Sequence, residues 1–228
     1  MKMKFGAIIV DGRGKIGGHV ASKNRAGAYL RTKVTPVNPQ TAFQLGVRNR
    51  FTGLSQGWRG LTEGQRASWN AAVSDYQVTD IFGDLKNPTG INLFQRLNNN
   101  LLTIGEAQIA VPPLPSAVQA VVLASVAAAA GAGTITATYA PAIDAFTKVK
   151  VFATAPGSAG KSFVKSEYRL IDVIVTADGS PFDISAEYDA KFGSVGVAGQ
   201  KIFMKFVPVN LATGQEGSPS QASAVVAA

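Results

Sequence analysis

The stretch Lys201–Asn210, KIFMKFVPVN, alternates in steps of two over most of its length. In an extended chain, Ile202, Met204 and Phe206 would lie on one face, and the residues between them would lie on the other. The first face is wholly apolar, whereas the second includes a lysine. This alternation predicts a β-strand that directs one face to a hydrophobic core.

The same period predicts seven further strands in the C-terminal half, separated by glycine and proline turns. They are expected at Val118–Val126, Thr134–Tyr139, Lys148–Thr154, Phe163–Ile171, Asp172–Thr176, Phe182–Tyr188 and Ala222–Val226. Short strands with regular turn signals favour two packed antiparallel sheets. Residues 117–228 are therefore predicted to form an all-β, immunoglobulin-like sandwich, and residues 111–116 a proline-rich linker before it.

Upstream of the linker the apolar period becomes helical, which predicts a three-helix domain over residues 38–110. The first helix should begin at Asn38-Pro39, and its apolar positions, all assigned to a core, are Phe43, Val47, Phe51, Leu54 and Trp58. Thr62 and Gln65 have the spacing of a capping box and open a second helix that carries Trp69. A third helix is expected from Thr89 to Ile104.

Residues 1–37 are predicted to be an extended basic arm. His19–Ser22 and Ala28–Val34 have the composition of short strands, and the turn-forming residues between them suggest small hairpins. Isolated hairpins are marginally stable in water, so the arm is expected to become ordered by adding to another sheet. The fold class is thus α+β and multidomain, with arm, helices and sandwich in that order.

The net charge of +8 is concentrated at the N-terminus, since the first 50 residues contain ten Lys and Arg but only one acid, Asp11. A block of this kind indicates a negatively charged partner. The candidate interaction residues are Lys15, Arg25, Tyr29, Arg31, Lys33, Arg48 and Arg50. The sequence leaves open whether they contact an acidic protein surface or packaged DNA, because it contains no recognisable nucleic-acid-binding motif.

No catalytic, metal-binding or cofactor-binding set is predicted. The chain has no cysteine and one histidine, which excludes thiolate and multi-histidine metal sites. Ala155–Ser162 matches a loose phosphate-loop pattern, but the next segment resembles a strand and not the helix that such a loop must open. A nucleotide-dependent enzyme is therefore not expected. No apolar run reaches membrane-spanning length, so no membrane partner is expected either.

Two groups of residues resemble known proteins. Lys201–Asn210, with Thr213-Gly214-Gln215 after it, is similar to the last strands of fibronectin type III and immunoglobulin-like modules. Gly14–Gly18, Trp58–Thr62 and Gly90–Asn98, within the first half, resemble segments of uncharacterised proteins from phages and prophages of gut Bacteroidota. The second resemblance implies a virion component, specifically the auxiliary capsid protein of a crAss-like phage.

The resemblance implies a structural protein, present in multiple copies in an assembly, that binds and stabilises the major capsid shell through its N-terminal arm. Its expected location is the virion, assembled in the bacterial host cytoplasm, with the major capsid protein and other virion proteins as partners. A head–tail connector or tail component is the alternative within this class. A sequence-independent DNA-binding protein is the alternative from another class.

Overall fold

The computed structural model describes residues 2–3, 12–24 and 27–228 of the chain. Within these ranges the chain is mixed α/β and is mostly β in its C-terminal half. The helices are α1 (Ala42–Gly60), α2 (Glu63–Ala71), α3 (Gly90–Thr103) and α4 (Ser185–Phe192). The strands of the first half are β1 (Lys2–Met3), β2 (Gly14–Ile16), β3 (His19–Asn24), β4 (Gly27–Thr32), β5 (Val78–Thr79) and β6 (Leu85–Lys86). Those of the second half are β7 (Val122–Ala129), β8 (Thr134–Ala140), β9 (Thr147–Ala153), β10 (Arg169–Ile174), β11 (Phe182–Asp183), β12 (Lys201–Asn210) and β13 (Ser220–Val225).

The N-terminal sheet comprises β1 to β4 in the order β1-β4-β3-β2, with every pair antiparallel. The predicted hairpin is present as β3 and β4. Among the described residues of this sheet, only Ala21 and Ala28 are buried. Two alanine side chains give little apolar area to stabilise four short strands.

The helical region, α1 to α3, begins later than the sequence suggested. The N-cap of α1 is Thr41, whose hydroxyl accepts from the N–H of Gln44 at 3.3 Å, so the expected start at Asn38-Pro39 is wrong. A hydroxyl placed to accept from the third residue of the helix fixes the first turn. The capping box of Thr62 and Gln65 at the start of α2 is confirmed.

The core of the helical region is built around Phe94 of α3, which contacts Trp58 and Trp69 at ring-centroid distances of 5.5 and 5.4 Å. Leu54 of α1 is fully buried in the same cluster. The other predicted core positions of α1, namely Phe43, Val47 and Phe51, are exposed, so their assignment to a core is wrong.

The C-terminal β region, β7 to β13, consists of two antiparallel sheets with strand orders β11-β8-β7 and β10-β9-β12-β13. The two sheets share one apolar core, to which nearly every strand contributes. Ile202, Met204 and Phe206 are fully buried in this core, as the alternation in β12 predicts.

The β region is not all-β, because the segment expected as a strand at Phe182–Tyr188 is mainly helix α4. Tyr188 and Phe192 of α4 pack on the shared core, and Tyr188 is fully buried. Their spacing of four is helical, and it reaches back to buried Ile184. The segments expected as two strands, Phe163–Ile171 and Asp172–Thr176, instead contribute to one strand, β10, which begins only at Arg169.

Helix α3 covers part of the outer face of the four-stranded sheet. Leu101 and Ile104 pack on Val209 of β12 to form a small separate core. Beside it, the Asn100 side-chain amide donates to the carbonyl of Gly214 at 2.9 Å. Lys150 of β9 is buried and donates to the side-chain oxygen of Asn100 at 3.2 Å. An apolar contact and a polar network therefore join the helical and β regions.

The segment 111–116 has no regular structure but is held at two points. The hydroxyl of Tyr76 donates to the carbonyl of Pro113 at 2.9 Å. The N–H of Ser116 donates to the side chain of Gln215 at 2.8 Å. The linker therefore contacts both the helical region and the β12–β13 turn.

Candidate interaction surface

Strand pairing in the N-terminal sheet places three cations side by side on one face, at the end of the sheet away from the helical region. Lys15 of β2 pairs with Val20 of β3, and Val20 pairs with Arg31 of β4. Because directly opposed residues share a face, Lys15 and Arg31 lie on either side of Val20. Beyond β4, the N–H of Lys33 donates to the carbonyl of Gly18 at 2.8 Å, and alternation returns Lys33 to the face of Arg31.

We name Lys15, Arg31 and Lys33 the cationic row. All three residues are exposed. The described residues of the N-terminal sheet contain no Asp or Glu that could neutralise them. Strands lie about 4.8 Å apart, so cations two strands apart are within about 10 Å, close enough to act on one partner at physiological salt.

The opposite end of the same face lies beside the helical region. Tyr29 is half-buried between Lys2 and Ser22, with which it is paired. Desolvation alone would raise the pKa of Asp80, in the loop after β5. The N–H groups of the neighbouring loop and the nearby charges of Lys2 and Lys86 outweigh desolvation, and the pKa is lowered. Lys2 is therefore close enough to Asp80 to favour its ionised form.

The remaining predicted interaction residues lie elsewhere. Arg25 lies outside the described residues. Arg48 and Arg50 are on α1, where Arg48 donates to the side chain of Asn38 at 2.7 Å and Arg50 donates to the hydroxyl of Thr103 at 2.8 Å. The structure thus places four of the seven predicted residues on one face of the N-terminal sheet: the cationic row, and Tyr29 at the end toward the helical region.

Sequence reasoning missed a second exposed feature, the apolar stripe of Phe43, Val47 and Phe51 on α1. We name these three residues the α1 stripe. The sequence offers no signal for this exposure, because Phe43, Val47 and Phe51 repeat at the same helical spacing as the buried Leu54. The side of α3 toward the α1 stripe is polar and includes Gln95 and Asn99.

The phosphate-loop-like segment at 155–162 is an irregular loop followed by turns, which are neither the strand expected from Phe163 nor the helix that a phosphate loop must open. Its lysine, Lys161, forms an ion pair with Glu167 at 2.6 Å. A phosphate loop needs the backbone N–H groups of a helix N-terminus at this point. The segment therefore lacks the geometry of a nucleotide site.

Acidic groups gather around Asp172 of β10, which is paired with the core residue Val151 of β9. Burial raises the pKa of the Asp172 carboxyl, and the nearby charges of Glu187 and Asp178 raise it further, against one backbone hydrogen bond that lowers it. The pKa of Asp183, by contrast, is lowered by the hydroxyl and N–H of Ser185, which both donate to it. Asp172 is therefore a carboxylate that the fold disfavours in its ionised form.

Replacing Asp172 by asparagine is expected to stabilise the protein slightly at neutral pH, by no more than about 1 kcal/mol. The folded-state pKa lies above the unfolded value of about 3.9, so the wild type loses stability as pH rises between these two values. Asparagine does not ionise and avoids that loss. Urea unfolding should show the gain at pH 7 and no gain near pH 3, and an equal gain at both would contradict the electrostatic cause.

Within the described ranges, no three His, Asp or Glu residues lie close enough to hold a metal ion. Over the same residues, no helix has the length and apolar character needed to cross a membrane. Comparison with protein-family models, curated proteins and solved structures finds no match to this chain.

Proposed function

We propose that the protein is a structural component of a phage virion, an auxiliary capsid protein that binds the major capsid shell through its N-terminal sheet. The observation that carries the proposal is the cationic row, Lys15, Arg31 and Lys33, exposed on one face of a sheet whose described residues include no acid. A concentrated charge of one sign gives affinity and orientation toward a surface of opposite sign.

The weakness of the N-terminal sheet supports the same proposal. Among its described side chains only two alanines are buried, and β2 lies at an edge with no further strand beside it in the described part of the chain. An unpaired edge can accept a strand from another protein, and the added backbone hydrogen bonds stabilise both partners. A neighbouring subunit would thus supply sheet edge and negative charge together.

For the β region, we propose an immunoglobulin-like sandwich that serves as a docking or decorating module. Seven antiparallel strands in sheets of three and four, with consecutive strand pairs alternating between the sheets, support this architecture. Helix α4, between β11 and β12, departs from the usual pattern. Since this architecture hosts many functions, it contributes nothing to the choice of partner.

Mass spectrometry of purified virions tests the proposal directly. The chain should be present at a fixed ratio to the major capsid protein and should remain on capsids after tails are removed. If the chain is recovered with tails or connectors instead, it is a virion protein but not a capsid protein. Absence from purified virions would show that the proposal is wrong.

Charge reversal tests whether the cationic row is the contact. Lys15→Glu with Arg31→Glu should reduce occupancy in particles co-expressed with the shell proteins by at least about tenfold, because attraction becomes repulsion. The control is Lys23→Glu with Lys205→Glu, which changes net charge equally but leaves the cationic row intact, since Lys23 is on the opposite face. Equal loss in both pairs would indicate an effect of net charge alone.

The same variants examine the alternative of sequence-independent DNA binding. If the isolated protein binds duplex DNA, the logarithm of its binding constant should fall linearly with the logarithm of the salt concentration, with a slope of about −0.9 per phosphate contact. Binding of this kind that the Lys15 and Arg31 reversal removes, with particle occupancy unchanged, would favour DNA as the partner of the cationic row.

A further inference from the structure

The α1 stripe is a ridge of large apolar side chains on the outside of the protein. Phe43, Val47 and Phe51 follow one another at intervals of four and are 72%, 66% and 57% exposed. Leu54 continues the same side of the helix and is fully buried. The stripe therefore begins in the core of the helical region and extends out of it onto the surface.

The described part of the chain does not cover this ridge. Val47 and Phe51 form one wall of an open groove of about 410 Å³, and Asn92, Gln95 and Asn99 of α3 line the opposite side. Gln95 donates to the hydroxyl of Ser55 at 3.1 Å. Because α3 meets α1 here through polar groups, the apolar side chains have no apolar surface to pack against within the described ranges. Contiguous exposed apolar surface of this kind marks an interaction site.

The surroundings of the ridge are positively charged. Helix α1 contains three arginines and no acid. The ammonium of Lys191 lies 3.5 Å from the ring centroid of Phe43, and Arg96 lines the groove. Glu216 also lines the groove, but it is paired with Lys150. An occupant that carried cations of its own would be repelled at each of these positions.

We propose that the α1 stripe is a docking site for an acidic amphipathic helix of a partner protein. Residues at intervals of four form the ridge that interdigitates in the commonest class of helix–helix packing, which favours a helix as occupant. The cationic rim requires Asp or Glu beside its apolar face. A second copy of α1 does not meet this requirement, because it would bring arginines against arginines. The proposal goes beyond the proposed function, since it concerns a different element and holds for any assembly.

The probe is a synthetic helical peptide with leucine at every fourth position and glutamate on both flanks, titrated into the full-length protein and followed by fluorescence anisotropy. Its twin carries lysine in place of each glutamate. The glutamate peptide should bind at least about tenfold more tightly than the lysine twin, and its binding should weaken as salt is added. Equal binding of the two peptides, or no binding of either, would overturn the proposal.

Matched variants locate the binding. Phe51→Ser should weaken binding of the glutamate peptide by at least about tenfold. Phe163→Ser, which removes a still more exposed phenylalanine from the β region, should leave binding unchanged. Lys15→Glu with Arg31→Glu should also leave it unchanged, which separates this site from the cationic row. If the two phenylalanine variants bind alike, the stripe is not the site.

Self-association is the competing explanation for the exposed ridge. Sedimentation velocity of the wild type at increasing concentration should show no dimer that Phe51→Ser dissociates. A dimer that this substitution removes would mean that a second copy covers the stripe, and the proposal would be wrong.

Discussion

Replacing Gly214 by alanine is expected to lower the free energy of unfolding by about 3 kcal/mol, the sum of backbone strain and overpacking. Gly214 has a φ of +68° in the turn between β12 and β13. A Cβ on this residue would lie 2.3 Å from the carbonyl oxygen of Leu97 and 3.0 Å from Leu101. The nearest of these atoms is backbone in the middle of α3, so it cannot move without disturbing the helix.

The control for this prediction is Gly133→Ala in the β7–β8 turn. Gly133 has a similar φ of +63°, but a Cβ there would have no neighbour within 4 Å. This substitution should cost only the backbone term, about 1 kcal/mol. Urea unfolding of both variants separates the close approach of α3 from the strain of the turn. Equal losses would show that α3 does not pack on Gly214 as closely as described.

The alternation of apolar residues identified most of the β region, because a core between two sheets imposes a period of two on every strand that faces it. It failed at Phe182–Tyr188, where Ile184 and Tyr188 fit a strand and a helix equally well in so short a segment. Ser185 donates two hydrogen bonds to the Asp183 carboxylate, which are consistent with a turn between β11 and α4. The pattern of apolar residues does not reveal such a turn.

The helices were also identified, but the surroundings of their faces were not. Periodicity shows that Phe43, Val47 and Phe51 share a face with Leu54, yet it does not show where the neighbouring helix ends or turns polar. Conversely, Val207 and Val209 on the outward side of β12 were a sign that something covers this sheet. That covering element, α3, is distant in sequence from β12, so local patterns do not reveal the pairing.

For the interaction surface, composition located the charge and register decided its arrangement. The ten cations of the first 50 residues predicted a basic segment, but only strand pairing places Lys15 beside Val20 and Arg31. A slip of one residue would send Arg31 to the opposite face. Residue types alone could not separate the cationic row from Tyr29, which lies toward the helical region.

The buried lysine beneath α3 offers the second large effect. Lys150→Ala is expected to lower the free energy of unfolding by about 2 kcal/mol, less than for a fully buried ion pair, because its partner Glu216 is 46% exposed and water can replace the lost contact. The side-chain oxygen of Asn100, which is buried, loses its donor, and the lysine stem leaves a void. Lys150→Met should recover part of the loss by filling that void.

The control is Lys205→Ala on the same outer face of the sheet. The ammonium of Lys205 lies 4.7 Å from the ring centroid of Phe152 and is not covered by α3, so its loss should cost about 0.5 kcal/mol. An equal loss of unfolding free energy in the two alanine variants would mean that the polar network beneath α3 adds no stability beyond that of an ordinary surface lysine.

The two tryptophans make this experiment a test of the domain division as well. Both Trp58 and Trp69 lie in the helical region, whereas Lys150 lies in the β region. If α3 couples the two regions into one cooperative unit, Lys150→Ala should shift the urea midpoint of tryptophan fluorescence together with that of the far-ultraviolet circular dichroism. If residues 38–110 and 117–228 instead unfold independently, as the predicted domain boundaries imply, the fluorescence transition should stay at its wild-type midpoint while the circular dichroism transition of the β region moves alone.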